Sequence, residues 1–439
     1  MPTLDFDIDW LDGEGVRGPE LAATWATLCI RFGDSVITRV LDARAKTIRE
    51  FLHLPLYPLA EWLATNWWFL SHEFENPDKK TATDFRHRHN LAAGREGYAF
   101  PNLEVISCGT FTRLAWKRED LPWNNLTFLE QGENWVDSNE FRASCAGLID
   151  GVIRRLDALG IRETFLQQEW LAIQAADEEE AEFCGTAAGL GWDPYAIDDG
   201  WRGFVLLLAE KLGNVLAEAV PAMGSPNKYE DWSDIALTIA EARKFNRIPL
   251  QRLRSFGRDV MQHTETRPYP WDTGYEMARR LRRCLDVGSD PLRDMAELAQ
   301  ALGEDAESMD RVSMNNVALG WPSLVDAVVA QDDEGPAFAF RRPGKDEGGR
   351  RFHFCRALAE VLMSPGSDTL LTKAHSERQK RNRAFAAEFL APSEGLRNRV
   401  HRKAVDSDDM NEMAAEFGVS SLLIEKQIRN HRIAQIWDG

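Results

Sequence analysis

Arg350-Arg351-Phe352-His353-Phe354-Cys355-Arg356-Ala357-Leu358-Ala359-Glu360-Val361-Leu362-Met363 is the stretch on which the reading of the chain turns. A glycine-rich polar loop, Gly344–Gly349, leads into it, and its apolar spacing predicts a helix over 352–363. Two charges, Arg356 and Glu360, stand four apart and form an i,i+4 pair in the less favourable order. Working outward, short strands Ala327–Gln331 and Ala337–Arg341 precede it across Asp332-Asp333-Glu334-Gly335-Pro336. Helices over Tyr275–Leu285 and Leu292–Leu302 come earlier still. A helix over Ser376–Leu390 follows, and the tail Asp406–Trp437 reads as two short helices around Gly418-Val419-Ser420-Ser421.

The remainder divides in two. Residues 1–134 read as mixed and strand-rich. Leu21–Ile30 and Ser35–Leu41 flank the turn Gly33-Asp34, and Leu52–Leu56 is a short apolar run. Tyr57-Pro58 opens a helix whose Leu59, Trp62, Leu63, Trp67 and Leu70 recur at helical spacing. Strands are expected at Leu103–Ser107, Thr110–Trp116 and Leu126–Gln131. From Asn139 to Gln262 the pattern is helical, with stripes Leu148, Ile149, Val152, Leu156, Leu159 and Val205, Leu208, Leu212, Val215, Leu216. The expected division is a strand-rich domain over 1–134, a helical region over 135–265, a third domain over 266–400 and a helical hairpin over 401–439.

The chain has 439 residues, roughly two to four domains by length. Its 44% apolar and 28% charged content is that of a globular protein. No apolar run reaches the ~18 residues of a membrane span, and the acidic start Met1-Pro2-Thr3-Leu4-Asp5 is unlike a signal peptide. Six cysteines without a CxxC fit a reducing cytoplasm rather than a disulfide framework or a zinc ribbon. A net charge of −18 opposes free nucleic acid unless a basic patch is segregated. No glycine-rich phosphate loop, GxSxG elbow or Cys/His nucleophile spacing occurs.

From Gly274 on, the chain resembles the ImmA/IrrE family of zinc metallopeptidases. Gly274–Arg282 is similar to the family's opening helix and Pro291–Ala299 to the next one. Arg350-Arg351-Phe352 stands at the entry to the active helix. Phe385-Ala386-Ala387-Glu388-Phe389-Leu390-Ala391-Pro392 matches the segment after the third metal ligand, and Met413–Ser420 matches the closing helix and turn. The resemblance implies an α+β chain whose zincin-like C-terminal domain is mostly helical with a small sheet. It also implies a role among proteins that cut helix-turn-helix repressors in stress, mobile-element, toxin–antitoxin or phage-defence settings.

The chemistry of that family needs HExxH, with two His at i and i+4 as zinc ligands and a Glu as general base. Here the resemblance puts the ligand positions on Arg356 and Glu360, the base position on Ala357, and the third ligand on Arg381, or on Gln379 in another register. The nine His are 53, 72, 87, 89, 263, 353, 375, 401 and 431, and no two are four apart, so HExxH exists in no register. A cation at a ligand position repels Zn²⁺, and without metal and base there is no activated water. The expectation is a pseudopeptidase without zinc, in which Arg356 and Glu360 bridge in place of the metal with Arg381 as a third member, or else both face solvent. The implied role is a non-catalytic cytoplasmic regulator that binds a protein partner, a repressor or antitoxin. The alternative is a hydrolase with unorthodox ligands, flanked by His353, Cys355, His375 and Glu377, or with a site in residues 1–265.

Other candidates have two readings each. His87 and His89, in Asp84-Phe85-Arg86-His87-Arg88-His89, would share one face of a strand and could bind a metal, or form a solvated basic loop. Asp5, Asp7 and Asp9 place three carboxylates on one face of a strand, as a binding feature or as a guard on a sheet edge. Residues 373–403 carry a local balance of +6. Arg378, Lys380, Arg383, Arg397 and Arg399 are its partner-binding candidates, favouring an acidic protein over DNA, or the chain's own acidic run Asp177–Glu182. The tail has the outline of a DNA-reading hairpin, though packing on the peptidase-like fold is the plainer role. Trp62, Trp67 and Trp68 cannot all face one way on a helix.

Overall fold

The computed structural model describes residues 3–75, 83–222, 229–263, 269–316, 325–341 and 346–437. They fold into two compact units, the first holding the described residues up to Leu206 and the second those from Leu207 onward. No helix among the described residues is long and apolar enough to cross a membrane. The expected boundary at 265/266 lies outside the described residues.

The first unit combines three small antiparallel sheets with helices. Among the described residues Leu4–Trp10 pairs only with Trp25–Phe32, at the edge of its sheet, and its exposed Asp5, Asp7 and Asp9 alternate with half-buried Phe6, Ile8 and Trp10. That is the guarded edge expected of alternating charge. The Gly33 turn forms with φ of 55°, but Leu21 and Ala22 belong to a short helix, Pro19–Ala23, and the strand begins only at Trp25. Asn102–Ser107 and Phe111–Lys117 pair as expected. The run Leu126–Gln131 ends as a strand at Phe128, and a further strand, Gly132–Asp137, completes the sheet of the Asn102 hairpin.

The long helix Ser138–Ala158 starts where Asp137 caps the amides of Asn139 and Glu140, and it buries Leu148, Ile149, Val152 and Leu156. Leu159, the expected end of that stripe, caps the helix and is exposed. The tryptophan helix breaks at Asn66 into Tyr57–Thr65 and Trp67–His72. Trp62 then donates to the His87 carbonyl, Trp67 meets the edge of Trp170, and Trp68 donates to the Tyr195 hydroxyl.

The second unit is built around a three-stranded antiparallel sheet in the order Gly335–Phe340, Val325–Asp332, Thr369–Thr372. The third strand was not expected; Thr369-Leu370-Leu371-Thr372 is too short for a period to show. Against the sheet lies the helix Glu347–Met363, opened by Asp346, which accepts from the Gly349 amide. Phe354 packs between Phe338 and Phe340, at ring centroids of 5.2 and 6.5 Å. The helix Glu377–Leu390, capped by Ser376, stacks Phe385 on Phe389 in the same core. Pro270–Cys284 crosses it where Gly274 lies close to the Arg381 carbonyl; a Cβ there would collide with that backbone.

The C-terminal hairpin, Ser407–Phe417 and Ser421–Asn430, has its own small core around Phe417, Ile424 and Ile428. Its turn residue Gly418 has φ of 63° and abuts the Arg293 backbone, and its carbonyl takes a hydrogen bond from fully buried Arg351. Arg351 also donates to the Leu292 carbonyl. The Arg-Phe entry and the Gly-Val turn are thus two halves of one contact, and the tail packs on the domain rather than standing apart from it.

Candidate functional site: a buried polar network

Arg356 and Glu360 lie one turn apart on the inner face of the Glu347–Met363 helix, 3% and 0% exposed. Burying a charge requires partners, and each residue has a separate set. Arg356 donates through Nη1 to Asp326 Oδ2 at 3.0 Å, and through Nη2 to the Thr372 carbonyl at 2.8 Å and Gln379 Oε1 at 2.9 Å. Glu360 accepts from Arg378 Nε at 2.7 and 2.9 Å, from Arg378 Nη2, and from Asn382 Nδ2. The expected bridge between Arg356 and Glu360 is therefore corrected. The two point at different partners because Asp326 on the sheet and Arg378 on the next helix offer better geometry than an i,i+4 pair in the poorer order.

The expected third member, Arg381, feels the Glu360 charge but is not hydrogen-bonded to it. Its Nε is buried and unpartnered, and burial pushes its guanidinium down from the ordinary range. Gln379, the alternative register, occupies the centre instead. Its Oε1 accepts from Arg356 and from the Thr372 amide, and its Nε2 donates to the Leu370 carbonyl and to Glu218 Oε2, all four at 2.9 Å. That uses every donor and acceptor the carboxamide has.

Glu218 belongs to the helix Leu216–Ala222 and was missed in the sequence, where nothing links it to residues 161 positions away. Ser376 Oγ donates to it at 3.1 Å. Burial pushes its carboxyl up to about 7; the Gln379 bond opposes that and the Glu360 charge adds to it.

A second buried carboxylate, Glu388, joins the Glu377–Leu390 helix to its neighbours. It accepts from Arg279 Nε at 2.8 Å, Ser393 Oγ at 2.9 Å and Gln427 Nε2 at 2.9 Å, and His431 Nε2 lies at 3.2 Å. Burial works against its charge, but His431 and Arg279 outweigh burial and hold the carboxyl at about 2.

Zinc does not fit these residues. Where the resemblance puts a ligand, a guanidinium is held by Asp326 and Gln379, and where it puts the base, Ala357 offers none. The other metal candidates are dispersed. His353 is half-buried with an unpartnered Nδ1, and burial, with Arg356 beside it, pushes its ring below the ordinary range. His375 is exposed. His87 and His89 are on a helix, Thr83–His89, not a strand, so two positions apart they diverge. His87 is exposed, while His89 is buried between the Val105 carbonyl at 2.7 Å and Glu73 at 3.1 Å. Among the described residues no group of three or more His, Cys, Asp or Glu gathers as metal ligands.

The cations of the basic stretch have separate surroundings. Arg378 is spent on Glu360, and Arg383 donates to the Thr372 and Ala374 carbonyls, with burial pushing it down to about 10. Arg397 donates to the His431 carbonyl, Arg399 pairs with Glu416, and Lys380 is half-buried. These five do not form one exposed patch. A charge count along the chain treats each cation as solvated, whereas Glu360, Glu218 and Asp326 draw this segment's cations inward.

No curated protein and no solved structure matches the chain. The model of the peptidase M78 family, described as the IrrE N-terminal-like domain, does match it, over residues 341–429. That range takes in Arg351-Phe352, Phe385–Pro392 and Met413–Ser420 but not the two earlier helices. Over those residues the C-terminal part of the chain is similar to the IrrE N-terminal-like domain of the peptidase M78 family.

Proposed function

We propose that the C-terminal domain is a pseudopeptidase and that the protein is a non-catalytic regulator. It binds a protein partner of the kind its family acts on, a helix-turn-helix repressor or an antitoxin, without cutting it. The observation that carries the first part is the pinning of Arg356 by Asp326, Gln379 and the Thr372 carbonyl. A metal at this position would have to displace a cation from three acceptors. The partner class is what the resemblance to the ImmA/IrrE family implies.

Elemental analysis of the dialysed protein, together with incubation with candidate repressors, tests both parts. The expected results are no stoichiometric zinc and a complex whose repressor stays intact. About one zinc per chain, lost on His353→Ala or His375→Ala, would replace this reading with a hydrolase using unorthodox ligands. Failure of every repressor and antitoxin encoded near the gene to bind would remove the partner.

A further inference from the structure

The first unit holds a cavity of about 400 Å³ lined by Trp67, Trp68, Ser71, His72, Arg142, Ala181 and Glu182. A small ligand fits that size. Its floor is built by close packing. His72 lies so near the helix Glu178–Gly189 that a Cβ on Gly185 would be 2.8 Å from the ring. Trp67 is fixed by Trp170 and Trp68 by Tyr195, so both indoles are held before any ligand arrives.

The polar groups are sparse and specific. The Ser71 hydroxyl is buried without a partner among the described residues. His72 Nδ1 lies 3.2 Å from the Trp68 carbonyl and donates to it. Burial, with Arg142 nearby, pushes His72 below its ordinary range, so its ring is neutral at pH 7 and Nε2 is an acceptor. Arg142 gives one donor to Asn139 and retains the rest of its fork. Glu182 is exposed at the rim.

We infer that this cavity binds a small zwitterion with a flat apolar body, an aromatic amino acid in its free form. The lining carries one cation and one anion. A ligand bearing one carboxylate and one ammonium satisfies both, with its ring against the indoles and a further hydrogen of the ammonium left for Ser71. A dianion such as a nucleotide would meet a single guanidinium, a carboxylate and a chain of net charge −18. The site lies within the first unit and does not depend on the role of the second.

Isothermal titration calorimetry of the full chain with L-phenylalanine tests it. Saturable one-site binding is expected. Arg142→Gln and Glu182→Gln, both away from the core, should each weaken it about tenfold or more, with unchanged thermal melting. Phenylacetate and phenethylamine, each lacking one charge, should weaken it similarly. No saturable heat with L-phenylalanine, equal binding of phenylacetate, or tighter binding of adenosine monophosphate would each overturn the assignment.

Discussion

The Gln379 carboxamide meets the Arg356 guanidinium at 2.9 Å, and it bonds the outer edge of the Thr369–Thr372 strand as a peptide of a further strand would. One neutral side chain thus joins both long helices, the sheet and the Glu218 helix. Gln379→Ala takes a hydrogen bond from four buried partners, of which Arg356 keeps Asp326 and the Thr372 carbonyl and Glu218 keeps Ser376, at about 1–3 kcal/mol for each partner left unmet. A loss of at least about 3 kcal/mol is expected in urea denaturation. A loss under about 1 kcal/mol would mean that water replaces the amide and that the network does not organise the domain.

Glu360→Ala removes the acceptor of Arg378 and of Asn382 in a site with no solvent access to Glu360. Breaking a buried pair from one side costs about 3–5 kcal/mol. Denaturation of the variant should show a loss in that range, and Glu360→Gln, which keeps one acceptor, a smaller one. A change within about 0.5 kcal/mol, typical of exposed sites, contradicts the buried geometry.

How far this site could be read in the sequence follows from distance along the chain. Arg356 and Glu360 share a helix, so their common face follows from spacing of four, and the absence of HExxH follows from counting histidines. Their partners do not: Asp326 is 30 residues before Arg356, and Glu218 is 161 before Gln379. Only the folded sheet brings them together. The inward pairing of Arg378 was hidden for the same reason, since helical phase cannot show which cations have carboxylates waiting inside. The helices around Phe354 and Phe389 were legible because their apolar rows are long. The Thr369–Thr372 strand was not, because its pairing with Val325–Asp332 rests on contacts remote in sequence.

Glu218 makes stability depend on pH near neutrality. Burial raises its carboxyl from an ordinary 4.5 to about 7, so the folded state binds this proton more tightly than the unfolded chain. Its contribution is fully present below about pH 4.5 and is lost as pH rises through about 7, a total of about 3 kcal/mol. Glu218→Gln keeps the contacts to Ser376 and Gln379 in neutral form. Urea midpoints from pH 5 to 8 should fall for the wild type and stay flatter for the variant; parallel slopes would place the titration elsewhere.

Glu388 works in the opposite direction. Burial opposes its charge, but His431 and Arg279 prevail and hold it at about 2 against an ordinary 4.5. Its stabilising contribution is therefore present above about pH 4.5 and is lost as pH falls through about 2, again about 3 kcal/mol. The loss has a location, because Glu388 joins the Glu377–Leu390 helix to Gln427 and His431 of the C-terminal hairpin. Acid should loosen the hairpin before it unfolds the sheet. Amide hydrogen exchange resolved by segment, at pH 5 and pH 3 with rates corrected for intrinsic pH dependence, should show protection falling first over residues 407–430. In Glu388→Gln that region should already be less protected at pH 5 and change little on acidification. Equal loss across the Phe338 and Phe354 core at the same pH would mean that Glu388 does not hold the hairpin separately from the rest.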